Sequence, residues 1–144
     1  LPEGAKIGIP NDPSNGGRAL HLLAANGLIK LKDGTGLTAT PLDIVENPKK
    51  VTFVETDAAL LPKQLPDLDG AVINTNYALG AGLNPTKDAL VQESRTNNPY
   101  GNFVAVREAD KDKPFVAKLV AAYQSKEVAD FLAERFKGAV LPAW

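Results

Sequence analysis

Short apolar runs separated by polar turns divide this chain into candidate strands. The runs lie at 6–9, 51–55, 71–73, 90–93 and 102–107. They are rich in β-branched or aromatic residues and are bounded by turn-forming residues, which predicts buried strands rather than helices.

Helical spacing of apolar residues follows the first run and returns near the end of the chain. A first helix is predicted over 15–25, with Asn15 as its N-cap. Two more are predicted over 114–123 and 126–136, the second capped by Ser125. Because strands alternate with helices, the pattern favours an α/β layered domain with substantially parallel strand pairing.

The turn into the first helix, residues 10–20, combines a cap, two glycines and an arginine. N–H groups at a helix start carry partial positive charge. Gly16 and Gly17 would let a ligand approach the backbone, and Arg18 offers a two-pronged donor for a carboxylate. The turn therefore suits a small anion. The alternative is structural: Asn15 only caps the helix and Arg18 is a solvated surface charge.

Composition limits the classes of function. The 144 residues suffice for one compact domain with its own core, and a net charge of −1 provides no basic excess for nucleic acid. Cysteine is absent, which removes disulfides and thiolate chemistry from these residues. Methionine is absent even at position 1, so we interpret the chain as processed, excised or incomplete, with any targeting segment upstream.

Catalytic signals are weak. His21 is the only histidine and has no partner that the sequence can place beside it. The nucleophile elbow and the phosphate-binding loop are both missing, and the sequence offers no cluster of metal-ligand residues. We therefore predict a protein that is not an enzyme, without catalytic residues, cofactor or metal.

Neutral hydrogen-bonding side chains stand where α/β domains bind ligands, at the ends of strands. Asn74 follows the run at 71–73 and Asn102 begins the run at 102–107. With Asn15 and Arg18 they form a set that suits a zwitterion, the guanidinium for the carboxylate and amide oxygens for the ammonium. Taken singly, each asparagine has a simpler interpretation as a turn-capping residue.

Several long motifs, in order along nearly the whole chain, together carry a family resemblance. They occupy 10–20, 27–34, 46–49, 71–77 and 123–125. With these motifs the chain closely resembles the methionine-binding lipoproteins of bacterial ABC importers, the NlpA family.

The resemblance implies a type II periplasmic-binding-protein fold, in which two α/β lobes close over an amino acid. Residues 1–101 would form the second lobe, and 102–144 the crossover strand and C-terminal helices that belong to the first lobe. The family has a long N-terminal portion before the segment that begins here, with a lipid-modified cysteine and most of the first lobe's sheet. That departure leaves the apolar faces of the last two helices without their usual partner.

The resemblance also implies a site and partners. Arg18 looks like the arginine that grips the ligand carboxylate, Asn15 like its neighbour in the same loop, and Asn74 and Asn102 like head-group contacts. The implied ligand is L- or D-methionine or a close analogue, delivered to an importer permease. The first lobe would come from a separate chain or a second copy. The implied location is periplasmic or at the cell surface, anchored through an upstream lipidated cysteine.

Two other functions are compatible with the same residues. One is a small α/β enzyme that binds a phosphorylated or carboxylated substrate at the turn from Asn15 to Arg18. The other is a peptide-binding or adhesion lipoprotein of the same family, since a peptide terminus also carries a carboxylate or an ammonium.

Overall fold

The computed structural model describes residues 1–94 and 96–144, which separate into an N-terminal unit, Leu1–Gln92, and a C-terminal unit, Glu93–Trp144. The strands are β1 (Lys6–Pro10), β2 (Lys30–Leu31), β3 (Ile44–Glu46), β4 (Thr52–Thr56) and β5 (Gly70–Ala71). The helices are α1 (Pro13–Ala25), α2 (Leu61–Gln64), α3 (Thr75–Gly80), α4 (Pro85–Asp88), α5 (Pro114–Tyr123) and α6 (Lys126–Phe136). Single 3-10 turns occupy Pro41–Asp43, Leu65–Asp67 and Glu108–Asp110.

A parallel sheet with β1 at its centre organises the N-terminal unit. The strand order is β4-β1-β5, and both outer strands run parallel to β1. Ile7 of β1 pairs with Phe53 on one side and with Gly70 on the other. β2 and β3 form a separate antiparallel pair. The predicted α/β organisation with parallel pairing is confirmed for this unit.

The core of this unit lies between β1 and α1. Ile9 of β1 is 1% exposed, and Leu20 of α1 and Leu61 of α2 are fully buried. Burying an aliphatic side chain of this size contributes about 1.5–3 kcal/mol relative to leaving it exposed. This packing fixes the start of α1 against the end of β1, which is where the candidate site residues begin.

The glycine pair at the start of α1 permits close packing within the chain. A Cβ on Gly16 would lie 2.8 Å from the carbonyl oxygen of Pro10. A Cβ on Gly17 would collide with the carbonyl oxygen of Leu37 and lie 2.8 Å from the backbone nitrogen of Ala39. Both glycines are buried. The expectation that they let a ligand reach the backbone was therefore wrong, because neighbouring backbone already occupies that space.

The C-terminal unit contains the two predicted terminal helices, and their bounds match the sequence prediction. Ser125 caps α6, its Oγ accepting the backbone N–H of Val128 at 3.3 Å. Lys137 and Gly138 then take positive φ angles of 48° and 90°, which ends the helix. The ring of Tyr123 makes an edge contact with Trp144, with centroids 6.4 Å apart.

Two predicted strands are not formed. Residues 90–93 and 102–107 have no strand assignment, and neither segment forms a sheet ladder with another described residue. Phe103, at the centre of the expected crossover strand, is 86% exposed. An apolar run becomes a strand only beside another strand that accepts and donates its backbone hydrogen bonds, and the described residues place no such strand here. In the same described part of the chain, no helix is both long and apolar enough to cross a bilayer.

Gly17→Ala should destabilise the chain by about 1–3 kcal/mol, because the added methyl collides with fixed backbone, an overpacking effect larger than the better helix propensity of alanine. Urea unfolding of the purified chain measures the difference. Gly36→Ala is the matched control, since a Cβ there meets nothing within 4 Å. Equal stability of the two variants would contradict the packing role of Gly17.

Candidate functional site

The start of α1 is capped by Asp12, so the prediction of Asn15 as the N-cap was wrong. Asp12 has extended backbone angles, and its Oδ1 accepts the backbone N–H of Asn15 at 2.9 Å. Pro13 is the first helical residue, a position that proline favours because it has no N–H to leave unpaired. The cap therefore lies three residues before the one expected from the sequence.

This capping changes how an anion could be recognised. The Asp12 carboxylate is itself an anion at the helix start, and it already accepts the N–H of Asn15. A ligand carboxylate at the same place would be repelled by it. Arg18 lies half-buried on α1 three residues after Asn15, on the same helix face, and its contact with a ligand acid group stays a prediction.

Asn15 and Asn74, two of the four predicted site residues, are in direct contact. The Nδ2 of Asn74 donates to the Oδ1 of Asn15 at 2.8 Å across 59 residues of sequence. Parallel strands bring their carboxyl ends to one edge of the sheet, and these residues follow β1 and β5. The role of the two residues in binding remains a prediction, whereas their adjacency is a feature of the fold.

Asn74 keeps one hydrogen-bonding atom unused among the described residues. Its Oδ1 is buried there without a partner. Although Asn74 is the N-cap residue of α3, its side chain makes no capping hydrogen bond. A buried acceptor without a partner costs about 1–3 kcal/mol, so such an atom is a natural contact for a ligand donor.

Asn102, the fourth predicted residue, belongs to the C-terminal unit and is exposed there. It begins the segment that was expected to be a strand. Its proposed contact with a ligand head group stays a prediction.

The sequence prediction missed Asp12 as a site residue. Backbone and side-chain N–H groups, first of all the backbone N–H of Asn15, hold the pKa of the Asp12 carboxyl below its ordinary value. The signal was available, because Asp followed by Pro is a common way to begin a helix. The richer asparagine content of the turn favoured Asn15 instead.

His21 has a structural contact of its own. Its Nε2 lies 2.9 Å from the carbonyl oxygen of Gly36, which ties α1 to the loop beyond β2. Within residues 1–94 and 96–144, no three His, Asp or Glu side chains come together as a metal site.

A family model and solved structures match this chain along its whole length. A model of the NlpA lipoprotein family matches residues 1–144. The chain is 48% identical to the D-methionine-binding lipoprotein MetQ of Yersinia pestis, over 100% of this chain and 54% of that protein. A nutrient-binding protein from Burkholderia cenocepacia, solved bound to methionine, is 58% identical with a TM-score of 0.91 over 100% of this chain and 61% of that one. A periplasmic substrate-binding protein of an ABC transporter from Coxiella burnetii is 51% identical with a TM-score of 0.90, over 99% and 60% of the two chains.

The chain spans about half the length of the curated relatives that it matches, and about 60% of the solved structures. Its mixed α/β fold is that of part of a periplasmic substrate-binding protein, which confirms the fold class predicted from the sequence. The relatives contain further residues to which these 144 do not correspond.

Asp12→Ala should lower the free energy of unfolding by roughly 1 kcal/mol near neutral pH, through loss of the helix cap. A lowered carboxyl pKa stabilises the fold above the ordinary pKa, and this stability is lost as the pH falls through the lowered value. The difference between wild type and Asp12→Ala should therefore narrow in strong acid, as measured by urea unfolding across pH. Ser14→Ala, an exposed change in the same turn, is the control, and a gap that is constant across pH would contradict the prediction.

Proposed function

Since this chain belongs to the NlpA lipoprotein family, we propose that it is the ligand-binding part of a solute-binding protein. Its ligand is L- or D-methionine or a close analogue, and it delivers that ligand to the permease of an ABC importer. The names of the relatives from Yersinia pestis and Burkholderia cenocepacia support this ligand class.

One observation in the site carries the proposal. The buried Oδ1 of Asn74 is an acceptor, and the hydrogen bond from Asn74 to Asn15 holds it in place. Asn15 itself lies on the same face of α1 as Arg18. An amino acid carries both complementary groups, an ammonium for the amide oxygen and a carboxylate for the guanidinium. The asparagines are uncharged, so neither end of the zwitterion meets repulsion from them.

The remainder of the binding site lies, in this proposal, in residues that correspond to the unmatched part of the relatives. Residues 1–101 form the second lobe, and 102–144 reach into the first lobe. Phe115 of α5 and Phe131 of α6 are 53% and 58% exposed, which supports a covering partner on these helices. The partner is the first lobe, supplied by further residues, a separate chain or a second copy.

The proposed location is the periplasm or the cell surface, with a lipid anchor on a cysteine outside these 144 residues. The matched family and the Yersinia relative are described as lipoproteins, which supports an anchor of this kind. We propose no nucleic-acid partner, consistent with the net charge of −1.

The proposal includes no catalytic activity. The enzyme alternative, with a phosphorylated or carboxylated substrate at the turn from Asn15 to Arg18, needs a general base there, and the Asp12 carboxylate of that turn already accepts the N–H groups of Asn15. A peptide-binding or adhesion role is tested by the same ligand titrations, with short peptides in place of methionine.

We expect these 144 residues alone to bind methionine weakly or not detectably, because ligand sites usually enclose about 70–90% of the ligand surface. A joined protein, in which this chain is fused to the unmatched part of the Burkholderia cenocepacia relative, should bind clearly. Isothermal calorimetry on both proteins measures the contrast. Tight binding by the 144 residues alone would contradict the two-lobe proposal.

Within the joined protein, Arg18→Ala should weaken methionine binding most, by roughly ten-fold to a hundred-fold, since a hydrogen bond to a charged group contributes about 1.5–3 kcal/mol. Asn15→Ala, Asn74→Ala and Asn102→Ala should each have smaller effects. Lys63→Ala, which removes an exposed positive charge on α2, is the matched control for net charge. Unchanged affinity in Arg18→Ala would refute the assignment of the guanidinium to the ligand carboxylate.

A further inference from the structure

The polar contacts from Asp12 to Asn15 have a defined direction. The Nδ2 of Asn15 lies 3.2 Å from Oδ1 and 3.1 Å from Oδ2 of Asp12, so the amide nitrogen faces both carboxylate oxygens. The backbone N–H of Asn15 donates to the same carboxylate. An ionised carboxylate accepts hydrogen bonds and donates none. The nitrogen end of the Asn15 amide must therefore point toward Asp12.

That direction continues into Asn74. With its nitrogen toward Asp12, Asn15 presents Oδ1 on the opposite side, where it accepts the Nδ2 of Asn74 at 2.8 Å. Asn74 then presents its own Oδ1, the buried acceptor that has no partner among the described residues. The negative charge of Asp12 thus determines, through two amides, that the last group in the series is an acceptor.

We propose that Asp12 is a positioning residue that sets the ligand selectivity of this site, by holding Asn15 and Asn74 in the one arrangement that presents an acceptor. The inference rests on the proposed function above. An amide that can flip presents either its NH₂ group or its oxygen, and so accepts a carboxylate as readily as an ammonium. An acceptor fixed in place favours a ligand with a protonated amine and disfavours the same acid without it.

Two further observations agree with this assignment. Asp12 and Asn15 stand three residues apart at a helix start, the spacing at which a cap side chain and the third helical residue meet. The pKa of Asp12 lies below its ordinary value, so the carboxylate remains ionised and acceptor-only throughout the neutral range.

The first test follows the side-chain amide signals of Asn15 and Asn74 by NMR, in the 144-residue chain without ligand. Asp12→Asn and Asp12→Ser both retain a good N-cap residue, so α1 keeps its start. Neither offers two acceptor-only oxygens. Both variants should therefore shift the amide signals of Asn15 and Asn74 and speed hydrogen exchange at the Asn74 Nδ2, whereas loss of capping alone would leave Asn74 unaffected.

The matched control is Asp43→Asn. Asp43 also accepts a backbone N–H, that of Thr40 at 2.8 Å, together with the Thr40 hydroxyl at 2.9 Å. The same chemical change is therefore made at a carboxylate that caps a 3-10 turn and is not part of the series from Asp12 to Asn74. The Asn74 signals should be unchanged in this variant.

The second test measures selectivity in the joined protein, as the ratio of affinities for methionine and for 4-(methylthio)butanoate, which is methionine without its amine. Asp12→Asn should lower this ratio by roughly ten-fold, the effect of misplacing one hydrogen-bond acceptor for a charged donor. Asp43→Asn should leave the ratio unchanged. Calorimetric titration of each ligand against each variant measures it.

The outcomes separate this proposal from the proposed function. If the Asn74 amide signals are unchanged in Asp12→Asn, the positioning role is overturned, whatever ligand affinities are measured. Signals that respond, with an unchanged affinity ratio, overturn the selectivity role. If the joined wild-type protein binds no amino acid, the proposed function fails, and the amide signals alone then uphold or overturn the control of Asn74 by Asp12.

Discussion

The hydrogen bonds accepted by the Asp12 carboxylate determine the arrangement of the candidate site. They begin α1, and they orient Asn15 at the third helical position. Through Asn15 they orient Asn74, which follows β5 and lies 59 residues away in the sequence. One ionised side chain therefore performs a structural task and a chemical one. The charged groups of the candidate site are the Asp12 carboxylate, which the Asn15 amide nitrogen contacts, and the Arg18 guanidinium, on the same face of α1 as Asn15.

Close backbone packing makes this arrangement possible. Gly16 and Gly17 bring the first turn of α1 against Pro10 at the end of β1 and against residues 37–39. The glycines serve the scaffold, and the binding role of the polar side chains in the same turn is part of the proposal. A motif that looks like a single ligand-binding loop in the sequence thus contains glycines that pack against backbone beside the residues proposed to bind.

Sequence patterns predicted the features that depend on local interactions. The end of α1 at Ala25, the bounds of α5 and α6 and the Ser125 cap all follow from side chains within a few residues of each other. The predictions of strands at 90–93 and 102–107 were wrong because a strand needs a neighbouring strand, and the periodicity of one segment does not show whether a neighbour exists. The helix start was wrong because two adjacent polar residues competed for one cap, and Pro13 decided between them.

For the site, the rule that ligands bind at the carboxyl ends of strands predicted that Asn15 and Asn74 would meet. It could not predict which atom of each amide faces the other, because that depends on where the Asp12 carboxylate lies relative to the Asn15 amide.

The central position of β1 has a consequence for the order of events during synthesis. Lys6 pairs with Thr52 and Ile7 with Gly70, so β1 is flanked by strands that are made much later than β1 itself. The chain loses conformational entropy when such long loops close, before the strand contacts form and stabilise it. Folding is therefore slower than with local pairing. Until Gly70 emerges, β1 has an unpaired edge on that side, a surface that other extended chains can bind. During synthesis, this part of the chain is therefore most vulnerable to misassociation between the emergence of β1 and that of Gly70.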